Sequence, residues 1–174
     1  GRFAGLRQER TMTPDIPRPV LKGKKALVIG VANDSSIAYG CAKAFRELGA
    51  DVAITYLNDK AKPHVEPLAR ELEASLFLPL DVAVPGALER VFEEVAAKWG
   101  KLDILVHSIA FAPKEDLQGG LLNCSAEGFA KAMDVSCHSF VRMAKLAAPL
   151  MTDGGTMFAM SYHGAAKVVP TYSV

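Results

Sequence analysis

Tyr162 and Tyr172 stand ten residues apart near the end of the chain, just after a short β-rich run. A tyrosine is a poor acid at neutral pH, with a pKa near 10, and becomes useful when a nearby cation stabilises its phenolate. A lone tyrosine has an ordinary structural role; two after a strand of a nucleotide-binding sheet raise the case for chemistry. A second group of residues suits phosphate. Gly30 ends the apolar run Ala26–Ile29, a polar loop with Asn33, Asp34, Ser35 and Ser36 follows, and helical spacing begins at Ile37 and closes at Gly49. A helix N-terminus with unpaired N–H groups and a positive dipole end can hold a pyrophosphate. The spacing is not G-x-G-x-x-G, so a dinucleotide turn and a plain strand-to-helix turn both remain open. Ser36 can meet a phosphate oxygen, cap the helix, or both.

Asp81 and Val82 follow a third apolar run. The carboxylate can accept from an adenine amino group while the Val82 amide donates to a ring nitrogen; capping a turn ahead of Pro85 and Gly86 is the competing role. His107-Ser108-Ile109-Ala110 follows a fourth run, and its small residues let backbone approach a ribose or a nicotinamide. His107 alone suits a satisfied histidine at a strand end better than a catalyst. His64, His138 and His163 are scattered without metal-ligand spacing, so no metal is expected.

These residues need elements to hold them. The sequence predicts strands at Ala26–Ile29, Val52–Tyr56, Leu76–Leu80, Ile104–Val106 and Thr156–Met160. It predicts helices at Ile37–Leu48, Lys62–Glu73, Gly86–Trp99 and from Ala126 to about Leu150, with a polar loop over Pro113–Asn123. In Gly86–Trp99 the apolar positions Leu88, Val91, Phe92, Val95 and Ala96 recur three and four apart, an amphipathic helix. Strands alternating with helices imply an α/β fold: a Rossmann-like, doubly wound parallel sheet in three αβα layers. Ligands of such sheets bind beyond the carboxyl ends of the strands, where the strand order reverses. Gly30, Leu57, Asp81, Ser108 and Ser161 with Tyr162 occupy those ends.

The 174 residues suffice for one domain with a sizeable core. Residues 1–20, with Pro14, Pro17 and Pro19 and no periodicity, are expected to be a flexible leader to a domain over 21–174. Half the residues are hydrophobic and the net charge is +1, which argues against disorder and against nucleic-acid electrostatics. No apolar run approaches the roughly 20 residues of a membrane span. Three cysteines, Cys41, Cys124 and Cys137, show no CxxC spacing and read as free thiols. With no secretory signal pattern, a cytoplasmic location is expected.

Together these motifs resemble the short-chain dehydrogenase/reductase superfamily, and within it the bacterial NADH-dependent enoyl-acyl-carrier-protein reductases of fatty-acid synthesis. The matching pieces are Gly30-Val31-Ala32 with Ser36 to Gly40, Thr55-Tyr56 with Asn58-Asp59-Lys60, Asp81-Val82, His107 to Pro113, and Ser161-Tyr162 with Gly164-Ala165. The resemblance implies hydride transfer from NADH to the double bond of an enoyl thioester. It implies that Gly30, Ser36 and Ile37 hold the pyrophosphate, that Leu57 lies beside the adenosine, and that Asp81 and Val82 hold the adenine. Ser108 and Ile109 would follow the ribose and nicotinamide, with Ala112 beside the acyl substrate. Tyr172 matches the family's catalytic tyrosine and Tyr162 its second active-site tyrosine. Leu57 departs from the polar residue usual at its position. Asp59 and Lys60 leave the choice of cofactor open on charge, and the Asn58-Asp59-Lys60 match favours NAD. A lysine expected seven residues after Tyr172 would fall beyond Val174, as would a sixth and a seventh strand. A domain incomplete at its C-terminus, inactive and aggregation-prone by itself, is therefore expected. The resemblance further implies a homotetramer acting on enoyl-acyl-carrier protein. The alternatives are a carbonyl-reducing member of the superfamily, against which the His107 to Ala110 sequence argues, and an inactive nucleotide-binding module.

Overall fold

The computed structural model describes residues 19–118 and 120–169. Five strands, β1 (Lys25–Ile29), β2 (Asp51–Tyr56), β3 (Leu76–Pro79), β4 (Ile104–His107) and β5 (Thr156–Ala159), form one parallel sheet in the order β3-β2-β1-β4-β5. The helices are α1 (Ile37–Glu47), α2 (Lys62–Glu71), α3 (Ala87–Trp99), α4 (Lys114–Gln118), α5 (Ala126–Met133) and α6 (Ser139–Ala147). This is the Rossmann-like fold the sequence predicts. The central strands are apolar at nearly every position because both faces are covered. Along β1, Ala26 and Val28 enter one core and Leu27 and Ile29 the other. The first core receives Ala38, Tyr39 and Ala42 of α1 with Val65 and Ala69 of α2. The second receives Leu88, Val91, Phe92 and Val95 of α3 with Met143 and Ala147 of α6. Each fully buried Leu or Val contributes about 1.5–3 kcal/mol, so the β1–β4 centre is the most strongly held part of the sheet.

The amino-terminal rim is tied by charge. Asp103, just before β4, is buried, and its carboxylate accepts from Lys24 Nζ at 3.0 Å and from the Lys25 amide at 2.9 Å. Lys101 Nζ lies 3.4 Å from the same group. Burial pushes the Asp103 carboxyl up, but the Lys24 ammonium, the Lys25 amide and Lys101 outweigh it and hold it below the usual carboxylate value. Beside it, Lys25 Nζ pairs with Asp51 at the start of β2.

Two expectations change. The loop predicted over Pro113–Asn123 contains α4 and a short 3-10 turn at Leu121–Asn123. Its polarity is misleading, because Asp116 is buried: its carboxylate accepts the Ser125 amide at 2.6 Å at the start of α5. A Cβ on Gly128 would fall 2.7 Å or less from both Asp116 carboxylate oxygens, so this glycine makes the docking possible. The helix predicted from Ala126 to about Leu150 is interrupted by a π turn at Asp134–His138 and ends in a 3-10 turn at Ala148–Leu150. Just after that turn the Ser139 hydroxyl donates to the Val135 carbonyl at 2.7 Å, a competitor for the helical acceptor. The helix expected from Lys62 is present as α2, with Pro63 in its first turn and Pro67 inside it.

Candidate functional site

A cleft of about 520 Å³ opens beyond the carboxyl ends of β1, β2, β3 and β4. It lies where the strand order reverses, since β1 pairs with β2 on one side and with β4 on the other. Gly30 forms its floor. With φ +106 it occupies backbone space that side chains disfavour, and a Cβ there would sit 2.6 Å from the Ser108 carbonyl carbon and closer still to its oxygen. Here the chain leaving β1 passes against the chain leaving β4, which leaves main-chain groups exposed to whatever fills the cleft.

Of the residues singled out from the sequence, Gly30, Leu57, Asp81, Val82, Ser108 and Ile109 line this cleft together. Asp81 holds its own turn, accepting the Ala83 amide on Oδ1 at 2.9 Å, so the capping role is real whatever else the carboxylate does. Ser36 occupies the N-cap position of α1 with extended backbone, but its hydroxyl does not cap the helix. It donates to the Asn33 carbonyl at 2.6 Å and so tightens the loop instead. Ile37 is exposed at the head of α1, and Ala112 is half-buried; neither is among the cleft-lining residues. Tyr162 follows β5 and is 57% exposed, with its ring so close to Gly164 that a Cβ there would lie 2.8 Å from Tyr162 Cζ. Ser161 and Tyr162 do not line the cleft, and Tyr172 lies outside the described residues.

His107, the last residue of β4, is buried, and its Nε2 lies 2.7 Å from Ser139 Oγ. Because the Ser139 proton goes to the Val135 carbonyl, His107 must be the donor, which assigns its proton to Nε2. Burial holds the imidazole below its ordinary pKa, so it is neutral and structural at physiological pH. With the next residue, Ser108, the chain enters the cleft loop. Ser136 clamps that loop: its hydroxyl accepts the Phe111 amide at 2.9 Å and donates to the Phe111 carbonyl at 3.0 Å. The π turn thus aims Val135, Ser136 and Ser139 at the end of β4 together.

Lining residues to which sequence reasoning gives no role include Phe111, Lys131 and Val135. The Lys131 ammonium stands 5.3 Å from the Phe111 ring centroid, a cation–π contact at the mouth of the cleft. The i, i+4 spacing of Lys131 and Val135 shows a shared helix face, but no local signal says that this face meets the loop after β4.

A parallel sheet, a glycine floor at the strand reversal and a largely apolar cleft with one carboxylate and one ammonium define a Rossmann-like ligand-binding domain. Comparison with known proteins is more specific. Residues 30–174 match the family model described as Enoyl-(Acyl carrier protein) reductase. The chain is 44% identical over 155 residues to enoyl-(acyl-carrier-protein) reductase (NADH) 1 of Rhizobium meliloti, covering 89% of this chain and 57% of that protein. It is likewise 44% identical over 155 residues to the NADH enoyl-(acyl-carrier-protein) reductase FabI of Haemophilus influenzae, covering 88% and 59%. The crystal structure of the reductase from Anaplasma phagocytophilum, in complex with NAD, superposes with a TM-score of 0.85 at 44% identity, over 90% of this chain and 60% of that one. The chain therefore belongs to the enoyl-(acyl carrier protein) reductase family, and it spans a little under three fifths of the length of the two curated relatives.

Proposed function

We propose that this chain forms the cofactor-binding part of an NADH-dependent reductase of enoyl thioesters carried on acyl-carrier protein, working in fatty-acid synthesis. The observation that carries the reading is the approach of Gly30 to Ser108 at the strand reversal, a cradle that a Cβ would fill, in a chain of this family. That cradle fits a dinucleotide pyrophosphate lying against main chain. Asp81 and the Val82 amide hold the adenine beside Leu57, while Ser36 and Ile37 shape the loop that carries the pyrophosphate. Ser108 and Ile109 follow the nicotinamide ribose, and Ala112 stands towards the acyl chain. Bound NADH supplies the hydride that saturates the double bond. Tyr172 stabilises by hydrogen bonding the negative charge that develops on the thioester oxygen, and Tyr162 serves as the second tyrosine of the site. A homotetramer in the cytoplasm goes with this reading. The exposed Phe129, Met133 and Val141 on α5 and α6 support association, and the three free cysteines support a reducing compartment.

The test is NADH oxidation by the full-length protein with a crotonyl thioester and, separately, a 3-ketoacyl thioester. The expected result is turnover of the enoyl substrate far above the ketoacyl one. Tyr172→Phe should then cut kcat while leaving NADH affinity nearly unchanged. Absence of enoyl turnover above background would sink the proposal, and preference for the ketoacyl thioester would replace it with a carbonyl reductase.

A further inference from the structure

We infer that Arg142 is a positioning residue for the Asp81–Val82 turn, and that through this turn it sets the affinity of the cleft for the adenosine half of a dinucleotide. The inference rests on reading the cleft as an NADH site. Arg142 is on α6, and its Nη2 donates to the Val82 carbonyl at 3.1 Å, across 60 residues of sequence. The same Nη2 lies 3.5 Å from Asp134 Oδ2, so the carboxylate holds the guanidinium in place. Three acceptors of the turn are engaged, the Asp81 carbonyl by the Val84 amide at 3.1 Å, Asp81 Oδ1 by Ala83, and the Val82 carbonyl by Arg142. The Val82 amide donates to no protein group among the described residues, while Val82 itself lines the cleft. Because a peptide unit is planar, holding the Val82 carbonyl fixes the Ala83 N–H that bonds Asp81 Oδ1, and so orients the carboxylate, while the Val84 bond to the Asp81 carbonyl fixes the peptide that carries the Val82 N–H.

The pairing depends on the π turn. Eight residues of regular helix at about 100° each would leave Asp134 and Arg142 roughly 80° apart. The wider π turn at Asp134–His138 winds less per residue and brings the two back onto one face. Arg142 Nε is buried with no partner among the described residues. Burying an unpaired donor is costly, and an apolar side chain in its place would avoid that cost. Packing alone therefore does not account for an arginine here, whereas the bond to Val82 does.

The experiment uses the full-length protein with Arg142→Met. The expected result is a rise of about tenfold in the NADH dissociation constant, the scale of one charge-assisted hydrogen bond. The inhibition constant of ADP-ribose, which keeps the adenosine and pyrophosphate but lacks the nicotinamide, should rise by the same factor. The kcat at saturating NADH should stay within about twofold, and Arg142→Lys should recover part of the affinity. Unchanged affinity for both ligands, or a fall in kcat with both affinities kept, would overturn the inference. If Arg142→Met fails to fold, Asp134→Asn carries the test. It frees the guanidinium from its anchor and should raise both constants about threefold, and no change would overturn the inference. Failure of the unaltered protein to bind NADH at all would remove the cofactor reading itself, a different and distinguishable result.

Discussion

At the amino-terminal ends of β1 and β4 the charged groups answer one another: the Asp103 carboxylate takes Lys24, the Lys25 amide and Lys101. At the carboxyl ends of the same two strands there is no such pairing among the described residues. Gly30 and Ser108 bring main chain against main chain, and the cleft above them is lined mainly by apolar residues, with Asp81 and Lys131 as its charged groups. The strands are common to both rims, so the contrast separates what holds the sheet together from what meets a ligand. Substitutions on the amino-terminal rim should cost stability and leave binding alone; those on the carboxyl rim should do the reverse.

Gly30 is where that separation should fail, and with the largest effect. Gly30→Ala forces a Cβ into the Ser108 carbonyl at a backbone angle of +106. Strain and overpacking together should destabilise the fold by about 3 kcal/mol in denaturant unfolding, and NADH affinity should fall with it. Wild-type stability in this variant would mean that the two chain segments can part freely, and the cleft floor would not be rigid. Next in size is Asp103→Asn, which leaves Lys24 and Lys101 without their carboxylate. A loss of about 2 kcal/mol is expected by the same measurement, and a loss below a few tenths would show that the amino-terminal rim is not held by charge.

The smallest effect is in the pH dependence of unfolding. The buried His107 has its pKa lowered, so the folded state resists the proton that the unfolded state accepts. Stability should therefore be complete above the unfolded value of about 6.5 and decline as pH falls through it. The Asp103 carboxyl is also lowered, but as an acid its contribution should persist until pH falls below about 3.9 and then disappear through the folded pKa. Acid unfolding in two stages is expected, and His107→Gln should remove only the first. A single stage unaltered by that substitution would contradict the buried neutral assignment.

How much of this could be read from sequence follows from range. β1, β2 and β4 are covered on both faces, so they are short apolar runs bounded by polar residues and are visible locally. Gly30 and Asp81 are visible for a related reason: both lie at strand ends, and the parallel order puts strand ends in one row. Phe111, Lys131 and Val135 are not visible, because what makes them cleft residues is the seating of α5 over the loop after β4. That seating is set by Ser136 on Phe111 and Ser139 on His107, 25 and 32 residues apart in sequence. The helix α4 was hidden by polarity that is spent internally, on Asp116 and Ser125. Ser36 shows the opposite failure: the right residue type stands at the N-cap, but its hydroxyl bonds to the loop and not to the helix.

The central claim is that the carboxyl rim binds the cofactor while the amino-terminal rim holds the fold. It is tested most directly by titrating NADH into full-length Asp81→Asn and Asp103→Asn proteins and measuring the thermal midpoint of each. Asparagine at position 81 can still accept the Ala83 amide, so the turn survives while the carboxylate is lost. The account predicts an NADH dissociation constant raised about tenfold in Asp81→Asn with its midpoint unchanged, and a lowered midpoint with unchanged affinity in Asp103→Asn. Equal NADH affinity in Asp81→Asn and the unaltered protein, or weakened affinity confined to Asp103→Asn, would contradict it.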